Sequence, residues 1–218
     1  MDQLRLYVIG DSISIQYGPY LEQYLAGRYA YGRKTAETEA LLNLPVPMGD
    51  NGGDSSAVLA FLAGLIEWGE LAADLLLINC GLHDIKTDPA TGRKQVGMDD
   101  YRRNLEGIVA LARKAEVSLV WVRTTPCDEA VHNTRPGMAF HRFAADCVAY
   151  NAVADGVMAE AGVPSIDLHS FTANLGEEVY CDHVHFYEIV REKQAAYIAG
   201  WLEYLSISFD KKTTIDSR

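Results

Sequence analysis

Two short segments near opposite ends of the 218-residue chain carry residue types that could make and activate a nucleophile. The first is Gly10-Asp11-Ser12-Ile13-Ser14, which follows the apolar run Leu4–Ile9. Gly10 permits a tight turn. Ser12 then falls at a strand-to-helix junction, where its hydroxyl can face solvent and nearby backbone N–H groups can point at an incoming oxyanion. On its own, the same serine could simply cap the helix. The second segment is Cys181-Asp182-His183-Val184-His185-Phe186. Asp182 and His185 are three apart, so on a turn they can lie side by side. A carboxylate bonded to one imidazole nitrogen fixes the tautomer and leaves the other nitrogen free as a base. A serine needs that partner, because its free hydroxyl is a poor nucleophile at neutral pH. On its own, this segment could be a solvated polar loop.

Two further segments lie between these. Asn51-Gly52-Gly53-Asp54-Ser55-Ser56 opens a helical pattern with bare glycines, whose backbone N–H groups are accessible to an anion. Asn79-Cys80-Gly81-Leu82-His83-Asp84 follows a second apolar run. Arg123, Thr124, His132 and Asn133 lie on or beside the loop 124–136, and with Asp11 they are candidates to contact a polar substrate. They could equally be ordinary loop residues.

The elements that must position these residues follow from periodicity. Leu4–Ile9, Leu75–Asn79, Ser118–Arg123 and Val163–Leu168 read as strands, and they are continuous apolar runs. Helical spacing recurs over Tyr17–Arg28, from Asp54 or Ser55 to Trp68, and over Met98–Ala115, Phe140–Ala161 and Tyr187–Leu205. Residues 29–50 are poorly patterned and broken by Pro45 and Pro47. Alternating strands and helices with apolar strands predict a parallel sheet covered by helices on both faces. In such folds ligands collect at the carboxyl ends of the strands, where all four segments fall. No linker or repeat divides the chain, so residues 1–205 read as one α/β domain and 206–218 as a frayed tail.

Composition narrows the partners. Lys and Arg number 19 against 30 Asp and Glu, a net charge of −11. That argues against nucleic acid and against an anionic membrane surface. No apolar run approaches the roughly 18 residues of a membrane span. The opening residues lack the basic and apolar regions of a secretory signal, and the cysteines form no CxxC pair. The expectation is a cytoplasmic protein with free thiols, although a removed export signal would leave the same sequence.

Taken in order, the four segments resemble the blocks of the SGNH hydrolases, or GDSL-type esterases. Gly10-Asp11-Ser12 matches the Gly-Asp-Ser turn, and Gly53-Asp54-Ser55 the second block. Gly81-Leu82-His83-Asp84 matches Gly-x-Asn-Asp with histidine in place of asparagine, and Asp182 and His185 match Asp-x-x-His. The resemblance implies a three-layer, flavodoxin-like α/β/α fold with about five parallel strands. It also implies ester hydrolysis through an acyl-serine, with no metal or cofactor. Ser12 would attack, His185 take its proton and Asp182 orient His185. The N–H groups of Ser12 and Gly53, with His83 replacing the asparagine, would bind the oxyanion. Asp84 would brace its block. The expected substrate is a short acyl ester, acetyl for example, of a carbohydrate or other small polar alcohol. A lysophospholipase or thioesterase of the same family is the alternative. A metallophosphoesterase fits less well, because Ser12 and Ile13 follow Asp11 where a ligand is needed. A non-catalytic carbohydrate-binding module is supported by His83 alone.

Overall fold

The computed structural model of the chain describes residues 3–34 and 49–215. Five parallel strands form one sheet: β1 (Leu4–Ile9), β2 (Tyr29–Arg33), β3 (Leu75–Ile78), β4 (Ser118–Val122) and β5 (Ser165–Ile166), in the order β2-β1-β3-β4-β5. Register runs from Leu4 opposite Tyr29, through Leu6 opposite Leu75 and Leu75 opposite Ser118, to Trp121 opposite Ser165. The helices are α1 (Ser12–Leu25), α2 (Ser55–Glu67), α3 (Met98–Lys114), α4 (Glu129–Thr134), α5 (Ala144–Ala161), α6 (Leu168–Ala173) and α7 (Glu188–Ile215). α1 packs with α7, whereas α2 packs with α3 and α3 with α5. The apolar strands are apolar because helices cover both sides. All four residues of β3 are buried, as are Leu119–Val122 of β4. Each fully buried Leu, Ile or Val side chain contributes roughly 1.5–3 kcal/mol.

The strand order reverses between β1 and β3. To one side of that point the connection runs from β1 to β2, and to the other from β3 through β4 to β5. The reversal opens a crevice at the carboxyl ends of β1 and β3. Gly10–Ser12 leaves β1 there, and Asn79–Asp84 leaves β3 beside it.

Several boundaries differ from the sequence expectation. β2 was not expected: it is a short, half-exposed edge strand interrupted by Gly32, so it lacks an apolar run. Pro45 and Pro47 lie outside the described residues. α1 begins five residues before the expected Tyr17, and Pro19 inside it masks its helical pattern. Within the expected loop 124–136, Asp128 caps the short helix α4 by accepting from Val131 N–H at 2.9 Å. β5 is only two residues long, and Asp167 caps α6 immediately after it. α7 runs on to Ile215, through most of the segment expected to fray from Ser206.

Gly81 fixes how β3 turns into the site. Its φ is +151°, and a Cβ there would lie 2.2 Å from Thr124 Oγ1. That hydroxyl is itself committed, donating to the Cys80 carbonyl at 2.9 Å. Gly81→Ala should therefore lower stability by at least about 2 kcal/mol, through backbone strain and overpacking. A urea unfolding midpoint equal to that of the unsubstituted protein would contradict this.

Candidate active site

Ser12 is the first residue of α1. Asp11, not Ser12, caps the helix, accepting from Ile13 N–H at 3.0 Å. That leaves the Ser12 hydroxyl for other partners, and its position in the first turn leaves its N–H without an intrahelical acceptor. The turn is tight: a Cβ on Gly10 would meet Ser14 Cβ and Oγ at 2.9 Å. Contrary to the sequence expectation, Ser12 does not face solvent: it is buried, only 4% exposed.

His185 and Asp182 sit in a loop closed by an antiparallel bridge between Tyr180 and Phe186. Asp182 Oδ1 accepts from the N–H groups of Val184 (2.8 Å) and His185 (2.7 Å), while its Oδ2 meets His185 Nδ1 at 2.7 Å. Partial burial pushes the Asp182 pKa up. The bonds from His185 and Val184 outweigh it and hold the carboxyl well below the usual carboxylate range. An ionised Asp182 can only accept, so Nδ1 of His185 carries hydrogen and donates. In the tautomer that leaves Nε2 with its lone pair, that nitrogen accepts from Ser12 Oγ–H, 2.9 Å away. Asp182, His185 and Ser12 thus form one continuous hydrogen-bonded chain. Such a chain can draw a proton off a hydroxyl and return it to a leaving group.

His183, the competing histidine, points elsewhere. Its Nδ1 lies 2.7 Å from Nδ1 of His132, whose Nε2 lies 3.2 Å from the Phe140 carbonyl. A carbonyl can only accept, so His132 donates from Nε2, and His183 must donate to His132 Nδ1. Burial, with Arg142 and His183 alongside, pulls His132 down to a pKa of about 4.

The second and third segments converge on the same turn. Gly52 N–H donates to the Gly10 carbonyl at 2.8 Å, an approach that a Cβ would obstruct at 3.1 Å. Gly53 has φ +76°, and its N–H donates to Asn51 Oδ1 at 2.9 Å. Asp84 accepts from Ser55 N–H with both oxygens (2.9 and 3.1 Å), tying the third segment to the start of α2. Burial raises the Asp84 pKa to about 7 against those bonds. His83 is buried, and Nδ1 is enclosed with no partner among the described residues. Burial, then Lys86 and Arg142, holds its pKa well below 6.5, so the ring is neutral. Nδ1 of this neutral ring thus has no hydrogen bond among the described residues, which leaves a polar atom that the fold itself does not use.

The remaining candidates are occupied. Asp11 caps α1, with Oδ2 buried and without a hydrogen bond among the described residues. Arg123 pairs with Asp167 (2.7 Å) and Asp155 (3.2 Å). Thr124 braces the ends of β3 and β4 through Cys80 and Asn151. His132 is wholly buried with both ring nitrogens engaged, and Asn133 clamps the backbone of Arg142 at 2.8 and 2.9 Å. The sequence reading missed Arg142 itself. It is 2% exposed, and its Nε donates to the Leu82 carbonyl at 2.8 Å, holding the residue before His83. A lone cation among aromatic residues in Phe140-His141-Arg142-Phe143 was the available signal.

A serine–histidine–aspartate chain at the switch point of a 2-1-3-4-5 parallel sheet defines an SGNH-type hydrolase. The sequence profile of the GDSL-like lipase/acylhydrolase family matches residues 8–188, and the chain belongs to that family of ester hydrolases. Solved structures with similar folds include a lipase/acylhydrolase from Enterococcus faecalis. It is 18% identical over 92% of this chain and 95% of that one, with a TM-score of 0.67. An acetyl xylan esterase, AlAXEase, is 12% identical over 89% and 98%, with a TM-score of 0.66. TesA is 18% identical over 92% and 99%, with a TM-score of 0.63. Among curated protein sequences none matches.

The two histidines can be separated by experiment. His185→Ala should remove most esterase activity, because Ser12 Oγ loses the imidazole nitrogen 2.9 Å from it. His183→Ala should cost much less, and should act through His132 and packing. Kinetics of the two purified, folded variants on an aryl ester check this, and the reverse ranking would contradict it.

Proposed function

We propose that the protein is a serine esterase that removes a short acyl group, acetyl in the simplest case, from a carbohydrate or other small polar alcohol. The observation that carries this reading is the unbroken chain from Asp182 through His185 to Ser12, with bonds of 2.7 and 2.9 Å. Ser12 Oγ attacks the carbonyl carbon as His185 Nε2 takes its proton. The resulting oxyanion is met by Ser12 N–H and by His83. Gly53 N–H joins them by sharing or exchanging its bond to Asn51. His185 then protonates the departing alkoxide, leaving acyl-Ser12. A water deprotonated by His185 attacks that ester and releases the acid.

A small acyl group is supported by where apolar space lies among the described residues. A largely apolar cavity of about 430 Å³ is lined by Leu4, Leu75, Leu119 and Pro164, at the amino ends of the strands and away from Ser12. The phosphoesterase alternative loses its residues to other tasks. Asp11 caps a helix, His183 bonds His132, and the family match is to acylhydrolases.

Two predictions follow from this chemistry. A fluorophosphonate should label Ser12, and rates on aryl esters should fall from acetyl toward long acyl chains. An unlabelled Ser12 would overturn the mechanism, and a preference for long chains would overturn the substrate class. His83→Ala should lower kcat by on the order of 10²–10³ with little change in KM, while His83→Asn retains much of the activity. An unchanged kcat per titrated serine in His83→Ala would remove His83 from the oxyanion site.

A further inference from the structure

Beside the His83 turn lies a cavity of about 690 Å³, more polar than apolar, with Phe140 as part of its wall. Its charged residues are not balanced. Asp88 accepts from the N–H groups of Ala90 and Thr91 and also feels the charge of Arg93, and Asp100 pairs with Arg103. Lys94 pairs with Asp146 and donates to Thr87. Lys86 and Arg93 are left without a side-chain hydrogen bond or ion pair among the described residues. Lys86 is half-buried, with its ammonium 4.8 Å from the centre of the Phe140 ring. Asp54 and Asp84 act on it through their charge without bonding to it, since Asp84 accepts from Ser55, and Asp54 from Ala57 and Gln95. Burial and the neighbouring Arg142 pull the Lys86 pKa down to about 8, against the opposing charges of Asp54 and Asp84. In a chain of net charge −11, a cavity lined by Lys86, Arg93 and Lys94 against Asp88 and Asp100 runs against the overall balance.

The cavity adjoins the turn that carries His83. Lys86 N–H donates to the His83 carbonyl at 3.4 Å. Phe140, under Lys86, also carries the Arg142 guanidinium 5.0 Å from its ring centre, and Arg142 holds the Leu82 carbonyl.

We propose that this cavity is an anion-binding subsite, in which Lys86, with Arg93 at the rim, receives a carboxylate or phosphate borne by the non-reacting part of the ester substrate. This rests on the esterase reading of Ser12 and narrows its substrate to esters of acidic alcohols. Matched aryl acetates test it: 3-acetoxybenzoate and 3-acetoxyphenyl phosphate against the neutral 3-acetoxybenzamide. The enzyme should favour at least one anionic ester by about tenfold or more in kcat/KM, with the gain in KM, and the better anion identifies the group. Lys86→Gln should bring that ratio to about one, and Lys86→Arg should restore much of it. Equal kcat/KM for anionic and neutral esters, or a preference that survives Lys86→Gln, would overturn the subsite while leaving the esterase reading intact. Failure to hydrolyse any of the three, with Ser12 unlabelled by fluorophosphonate, would overturn both.

Discussion

The bond between Ser12 Oγ and His185 Nε2 is the constraint on which the site depends. It joins residues 173 apart in sequence at 2.9 Å. A hydrogen bond tolerates only a few tenths of an ångström of error, so both ends must be held by rigid elements. One end is the β1–α1 turn, pinned by the Asp11 cap and by the close approach of Gly52 to the Gly10 carbonyl. The other is the Asp182 loop, where one carboxylate takes three hydrogen bonds and so fixes both the backbone and the imidazole. The β2-β1-β3-β4-β5 order opens the crevice in which they meet.

Electrostatics around that bond favour neutral imidazoles. Arg142, buried between the His83 turn and the His132–His183 pair, lowers the pKa of all three histidines alongside burial. A buried cation is costly to desolvate. Its Nε is satisfied by the Leu82 carbonyl, and Asn133 clamps its backbone on both sides. One buried side chain therefore fixes the turn that carries His83 and also disfavours charge on the rings around it. The same Phe140 ring that Arg142 faces also faces Lys86 and lines the neighbouring cavity.

The sequence made the sheet readable where strands are fully buried, because β1, β3 and β4 are continuous apolar runs flanked by turns. β2 escaped because an edge strand half in solvent has no such run, and β5 was overestimated because Asp167 ends it by capping α6. The Ser12, Asp182 and His185 segments were legible because chemistry restricts their residue types. The contact residues expected on loop 124–136 were not. Nothing local distinguishes a threonine that faces a ligand from one that braces two strand ends, as Thr124 does through Cys80 and Asn151. Arg142 was hidden for the same reason, since its partners Leu82 and Asn133 are distant or backbone groups that composition does not reveal.

The central claim is that Ser12 becomes acylated, with His185 first removing and then returning a proton. Acid quenching during turnover of an aryl acetate, followed by mass analysis of the digested protein, observes that step directly. The account predicts a single acetyl adduct on the peptide carrying Ser12, which appears with turnover, decays when substrate is exhausted and is absent from Ser12→Ala. Sustained hydrolysis with no adduct on that peptide, or with the adduct on another residue, would contradict it.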